Sequence, residues 1–299
     1  MKTRLFATLA LALALAACTS DDGNLNDGPV AAVINAEISD AVSTRASGTQ
    51  WAERDEIGIS ESRFGYTNVP YRWESGKFTP TGTIIFFQDN DPTTFSAYYP
   101  YDADGGTLTA TTDATAQQNQ PAIDFLYAAG ATASTGNPEV NFRNENAADE
   151  NDPAKDHSFH HCMSRITLTF KAGSGMDFTN IQPTGYTLSG LVLEGSFDTT
   201  DGTAEADDAT AAQDLDMTLT GGALTSSVIL FPQSTTSIEL SVNYNSQSYT
   251  ATLTIPDGAL KAGNNYAWTV TVRNKDLSIE SAEITPWNPV SGDDVNADL

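Results

Sequence analysis

Apolar and polar residues alternate one for one through much of this chain. Arg165-Ile166-Thr167-Leu168-Thr169-Phe170 is one such run; Ser237-Ile238-Glu239-Leu240-Ser241-Val242 and Ala267-Trp268-Thr269-Val270-Thr271-Val272 are others. A period of two puts all the apolar side chains of a run on one face of an extended strand. Thr, Val and Ile suit that surface, and Gly, Asn, Asp and Pro punctuate the runs at short intervals. Helical spacing sustained over ten or more residues is hard to find. The pattern predicts an all-β fold of short antiparallel strands packed into β-sandwiches.

A chain of 299 residues can fill two such cores. The first set of expected strands runs from Glu56 to Ser60, Tyr66 to Trp73, Thr83 to Phe87, Thr94 to Tyr99 and Phe125 to Ala128. The second runs from Met163 to Phe170, Tyr186 to Leu193, Leu215 to Leu219, Ser227 to Phe231, Ser237 to Tyr244, Ser248 to Ile255, Tyr266 to Val272 and Leu277 to Ile284. Between them Thr135 to Asp156 is rich in Asn, Asp, Glu and Ala and is expected to be a loop or linker. The expected organisation is two tandem sandwich domains, residues 46–156 and 157–299.

The beginning of the chain sets the compartment. Lys2 and Arg4 precede an apolar run from Leu5 to Ala17, too short to span a bilayer, which ends at Ala16-Ala17-Cys18. Small residues before a Cys resemble the lipobox of bacterial lipoproteins. The resemblance implies a signal peptide over residues 1–17, acyl chains on Cys18 and attachment to the outer membrane through that lipid alone. An ordinary signal peptide with a chance Cys is the plainer alternative. With Cys18 acylated, Cys162 has no partner for an intramolecular disulfide, since the chain has 2 Cys.

Residues 18–45 then form a spacer and one strand. Val30, Ala32, Ile34, Ala36, Ile38 and Val42 keep a period of two, with Asp40 breaking it. A small polar stretch follows, and Arg45 within it is the one basic residue between Arg4 and Arg54. Cleavage between Arg45 and Ala46 is one reading of that position. On these residues alone a solvated loop arginine is the simpler one.

Charge narrows the partners. Asp and Glu number 39 against 14 Lys and Arg, a formal net charge of -25. Nucleic acid and anionic lipid surfaces are poor partners for such a chain. Solubility at a cell surface accounts for the excess. The sharper alternative is calcium at Asp198-Thr199-Thr200-Asp201-Gly202, with Glu205, Asp207 and Asp208, although the ligand spacing of an EF-hand is missing.

No enzymatic constellation is apparent. His157, His160, His161 and Cys162 cluster beside Asp156, but consecutive strand residues point to opposite faces and cannot all converge on one ion. There is no nucleophile motif and no phosphate-cradling loop. The expectation is a non-enzyme with no catalytic residue, cofactor or metal. Trp51, Tyr66, Tyr71, Trp73, Tyr98, Tyr99 and Tyr101 could stack on a host protein or a glycan, with core packing the simpler role.

Several short motifs in fixed order resemble the fimbrillin family, subunits of fimbriae on gut and oral anaerobes. They are Thr44-Arg45 ahead of Trp51, Asp55-Glu56-Ile57-Gly58-Ile59, Phe95-Ser96-Ala97-Tyr98-Tyr99-Pro100-Tyr101, Asp124-Phe125-Leu126-Tyr127-Ala128 and His161-Cys162-Met163-Ser164-Arg165-Ile166. Phe231-Pro232-Gln233, Leu260-Lys261-Ala262-Gly263-Asn264-Asn265-Tyr266 and Ile284-Thr285-Pro286-Trp287 complete the set. The resemblance implies two transthyretin-like sandwiches and a lipoprotein precursor. It also implies a cut after an Arg like Arg45, removal of the first strand, and refilling of its groove by another fimbrial subunit. Polymerising shaft members of that family donate their last segment. Here the residues after Trp287 are short and acidic, with Val295, Ala297 and Leu299 alternating and Pro289 and Gly292 interrupting what precedes them. That makes a poor donor strand and leaves open a tip or accessory subunit. The rival reading is a non-polymerising surface lipoprotein that binds glycans.

Overall fold

The structure, a computed structural model, describes residues 28–39, 50–147, 150–273 and 276–287. Alternation becomes strands at nearly every place it was found. Glu56–Glu61, Val69–Glu74, Lys77–Pro80, Thr93–Tyr99, Leu126–Ala133 and His160–His161 build one six-stranded sheet, antiparallel at every ladder. Facing it are the two short strands Val30–Ala31 and Val33–Ala36, with Phe86–Phe87 on one side and Glu139–Phe142 on the other. Ile34, Ile57, Ile59, Tyr71, Phe95, Val140, Phe142 and Phe159 are buried in the core between them.

The second half repeats the plan with longer strands. One sheet runs Thr225–Leu230, Ser164–Ala172, Asn264–Val272, with Leu277–Ile279 and Glu283–Pro286 sharing the outer side of the last. The other runs Gln213–Thr218, Gly185–Leu191, Ser237–Tyr244, Gln247–Thr254. Ile166, Leu168, Leu188, Leu215, Leu240, Leu253 and Val270 are fully buried between them.

The halves interlock. Thr107–Thr111 pairs with Glu194–Asp198, which pairs with Ala204–Ala206. Beneath that small sheet lies a third cluster with Tyr98, Phe125, Met163, Phe197, Phe231 and Trp287, where the Phe125 and Phe197 rings stack at 4.6 Å. A short 3-10 helix, Ala116–Ala122, reaches across to the edge strand Thr225–Leu230. There Gln117 acts like a piece of main chain: its Nε2 donates to the carbonyls of Ile229 (2.7 Å) and Thr112 (2.9 Å), and its Oε1 accepts from Ile229 N (3.0 Å). Gln120 Nε2 donates to Ser227 O at 2.7 Å.

Several expectations change. The stretch expected as a loop, Thr135 to Asp156, contains the strand Glu139–Phe142, with Val140 and Phe142 fully buried. Four residues among polar neighbours are too few to show a period. Pairing is not purely antiparallel, because Glu139–Phe142 runs parallel to Val33–Ala36 and Ser164–Ala172 runs parallel to Asn264–Val272. The expected strand from Leu277 to Ile284 is two strands, and that from Thr83 to Phe87 shrinks to Phe86–Phe87.

Candidate strand-exchange site

Residues 30–39 lie in a groove with main-chain partners on both walls. At the upper end Val30 and Ala31 pair with Phe87 and Phe86, and Ala32 N donates to Ile85 O at 2.9 Å. Lower down the partner changes: Val33 N donates to Pro138 O (2.9 Å) and Glu37 N to Phe142 O (2.8 Å). At the foot Ser39 N donates to Phe159 O and Phe159 N to Glu37 O, both at 2.9 Å. Ala32, Ile34, Ala36 and Ile38 point into the core, while Val33, Asn35 and Glu37 face out. Burying two Ile and two Ala side chains stabilises this seat by about 4–8 kcal/mol.

Trp51 closes the foot of the groove. Its ring meets Phe78, Tyr99 and Phe159 edge-on at 5.2, 5.6 and 5.0 Å, and its Nε1–H donates to the carbonyl of Ala36 at 2.8 Å. Ser39 and Trp51 are thus both held at Phe159. The stretch between them carries Arg45 and Ala46; residues 40–49 lie outside the described residues, as do Cys18 and everything after Trp287. The two sides of the expected cut are therefore fastened at one place. A break between them would leave a strand bound only by the contacts above.

A family model described as fimbrillin-like matches residues 44–287. The chain belongs to the fimbrillin-like family. Its match begins just past the groove strand, so the strand is an addition to the matched region. Among solved structures, the fimbrillin-like chain is similar to a candidate cell adhesion protein of Bacteroides ovatus, at 29% identity and a TM-score of 0.71, over 89% of this chain and 100% of that one. A second, from Bacteroides uniformis, shares 22% identity at a TM-score of 0.69, over 88% of this chain and 100% of that one, and speaks for the fold alone. No curated protein matches. Membership makes this a fimbrial or adhesion subunit of the cell surface.

The other candidate residues of the fimbrillin-like chain serve packing. The three histidines go to three places: His157 Nδ1 lies 3.1 Å from Ala129 O, His160 Nε2 lies 3.4 Å from Asp156, and His161 Nδ1 lies 2.7 Å from Asp124 Oδ1. His161 also stacks on Trp287 at 4.0 Å, and Arg165 covers that indole at 4.8 Å. Burial pushes the Cys162 thiol well above its ordinary range, which leaves it without thiolate character. Among the described residues no group of three or more His, Cys, Asp or Glu is placed to hold a metal, and no helix is long and apolar enough to cross a membrane.

In the acidic loop, the carboxylates tie the turn itself. Asp198 Oδ1 accepts from Thr200 N and Oγ1, and Asp201 Oδ1 accepts from Thr203 N. Gly202, at φ +79°, lets this turn lie on Tyr127, since a Cβ there would come within 2.4 Å of the ring. Trp51, Tyr71, Tyr98 and Tyr99 are buried, and Tyr66, Trp73 and Tyr101 are half-buried. The sequence located Trp51 at the start of the domain but not the bond from its indole to the strand. A Trp shortly after the strand expected to be removed was the available signal.

Proposed function

We propose that this chain is a structural or adhesive fimbrial subunit that assembles by strand exchange, released when a trypsin-like protease cuts between Arg45 and Ala46. The observation that supports this reading is the seat of residues 30–39: paired first with Phe86–Phe87 and then with Glu139–Phe142, inwardly apolar, and joined to the rest through the segment with one basic residue. Removing it uncovers an apolar floor and two rows of unpaired backbone groups, which a strand from another subunit can satisfy. Donation from one subunit to the next is heterologous and builds a filament. The uncut precursor stays monomeric, because its own strand competes at far higher effective concentration than a neighbour's.

In this reading lipid on Cys18 holds the precursor at the outer membrane, and the cut frees the subunit from lipid and strand together. Residues 46–156 and 157–299 act as the two folding units, with a place at the tip or as an accessory subunit of the filament. The test is the mass and N-terminus of the protein taken from cells. Ala46 on filaments and an acylated Cys18 on membrane-bound precursor are the expected results. Material on filaments that still begins at Cys18 would defeat the cleavage reading. Spread over the cell body with tight oligosaccharide binding and no filaments would instead favour a glycan-binding lipoprotein.

A further inference from the structure

Arg54 occupies a backbone position that a turn alone would give to another residue. It lies in the turn ahead of Glu56–Glu61 at φ +78°, in the left-handed region that Gly or Asn enters at lower cost. The turn is held without its side chain: Ala52 N donates to Asp55 Oδ2 at 2.7 Å, and Arg54 N donates to Trp73 O at 2.9 Å. Among the described residues the Arg54 guanidinium has neither an ion pair nor a hydrogen bond. In a chain of net charge -25 that sets it apart, since Arg63, Arg72, Arg143, Lys155 and Lys261 all lie 3.6 Å or less from a carboxylate.

Arg54 borders a notch of about 280 Å³ where three elements meet. The turn supplies Arg54, the chain leaving Thr93–Tyr99 supplies Pro100 and Tyr101, and the 3-10 helix Ala116–Ala122 supplies Asn119 and Pro121. The helix is fastened by Gln117 and Gln120, three residues apart on one face, which leaves Asn119 and Pro121 exposed on the other. The two carboxylates of the notch are already engaged. Asp55 Oδ1 accepts from the Tyr99 hydroxyl at 3.2 Å, and Glu56 Oε1 lies 2.7 Å from Arg72 Nη2. Among the described residues neither the Asn119 amide nor the Tyr101 hydroxyl has a hydrogen bond. The notch therefore presents one uncommitted cation, one amide and one hydroxyl beside the apolar surface of a Tyr and two Pro.

We propose that this notch binds a sugar ring bearing a carboxylate, which gives the adhesive side of the reading above a ligand class. The planar guanidinium of Arg54 takes the carboxylate through two parallel N–H···O bonds. Tyr101, Pro100 and Pro121 offer apolar surface to the C–H face of the ring, while the Asn119 amide and the Tyr101 hydroxyl meet its hydroxyl groups. The volume lies just under the range of about 300–1,000 Å³ that holds drug-sized ligands, so it suits one ring at the end of a glycan and not an internal stretch.

Charge elsewhere on the chain narrows the occupant and the place. The larger hollow, about 830 Å³ over Thr107–Thr111 and Glu194–Asp198, is bordered by Glu194, Glu205, Asp207 and Asp208 and repels a carboxylate. An acidic peptide would bring several charges, and all but one of them would face the excess of Asp and Glu without a partner. A sugar with a single carboxylate brings only the charge that Arg54 can take. No residue of the groove strand lines the notch, so its walls are the same in cut and uncut chain and it does not depend on strand exchange.

The test uses the uncut full chain, with binding read by calorimetry and ligand-observed NMR. Sialyllactose should bind about tenfold tighter than lactose, which lacks the acid. Arg54→Gln removes the charge at an exposed position and should lower sialyllactose affinity about tenfold, with an unchanged melting temperature, and Arg54→Lys should recover only part of the loss. Asn119→Asp, which sets a like charge beside the ligand, should weaken binding about as much as Arg54→Gln. Lys77→Gln, which removes an exposed cation outside the notch, should leave affinity within about twofold. Equal binding of lactose and sialyllactose, or full affinity in Arg54→Gln, would overturn the proposal. Sodium acetate competing as well as sialyllactose would reduce the notch to a site for a bare anion, and hexaglutamate binding more tightly than sialyllactose would make its ligand an acidic peptide; either overturns the sugar. All of these failures leave strand exchange standing, because that reading is tested on filaments and on the N-terminus.

Discussion

The two halves complete their sheets by different means. In the first, the gap between Phe86–Phe87 and Glu139–Phe142 is filled by a main-chain strand, residues 30–39, tethered through a segment that a protease can reach in the proposed mechanism. In the second, the edge strand Thr225–Leu230 is closed by the side chains of Gln117 and Gln120 from a helix inside the same fold. A bare edge is a template for another strand. Side chains on an internal helix cannot be cut away without unfolding their surroundings, whereas a tethered strand can. In the proposed mechanism one site thus stays exchangeable while the other is sealed.

The largest effect should come from the inward face of the exchangeable strand. Ile34→Asp buries an unpaired carboxylate at a position 3% exposed and should cost about 3–5 kcal/mol. Val33→Asp, next door but 50% exposed, should stay within about 0.5 kcal/mol. Urea denaturation of the uncut chain measures both; equal costs would mean that the strand does not sit as described. Gln117→Ala is next. It leaves Ile229 N–H and C=O without their partner in a buried setting, at about 1–3 kcal/mol. It also unseals the edge, so association of uncut protein in light scattering should rise, which no outward substitution at Val33 or Asn35 should cause.

Trp51→Phe keeps an aromatic ring and removes one hydrogen bond to Ala36 O, for an expected loss of about 0.5–1.5 kcal/mol. The change should appear in denaturation of the uncut chain and as faster loss of the strand after cutting. The smallest effect lies away from both edges. Burial disfavours the Glu61 carboxylate, but N–H groups of Phe64, Arg63 and Tyr66 and the Thr93 hydroxyl outweigh it and hold its pKa below the ordinary carboxylate value of 4.5. A depressed carboxylate stabilises the fold fully above its unfolded value and loses that contribution as pH falls through the folded one. Glu61→Gln should therefore cost about 1 kcal/mol at neutral pH, and the gap from the natural chain should close below about pH 4. A gap that widened with acid would reverse the sign.

Long alternating strands were legible in the sequence because each carries its period over six or more residues; Ser237–Tyr244 is found with its expected limits. Residues 30–38 were legible for the same reason, as a half-buried strand. Their partner Glu139–Phe142 was not, since four residues flanked by Asn and Glu do not declare a face. Thr107–Thr111 and Glu194–Asp198 were missed because their apolar residues pack in the seam between the halves, which no local pattern reports. The groove could be inferred from the period-two run over residues 30–38, but its tie to Trp51 could not. That bond joins two segments whose proximity only the fold creates.

The tie between Trp51 and Ala36 also separates two clocks. Hydrolysis of the connecting segment breaks a covalent bond without touching the hydrogen bonds or the buried face of residues 30–39. In the proposed mechanism a freshly cut subunit is therefore still full. Its readiness to accept a partner is set by how fast the severed strand escapes, not by how fast the protease works. If strand exchange operates as proposed, cutting and polymerising are separable in place, and the lag between cutting and ladder formation on a native gel should not shorten when more protease is added.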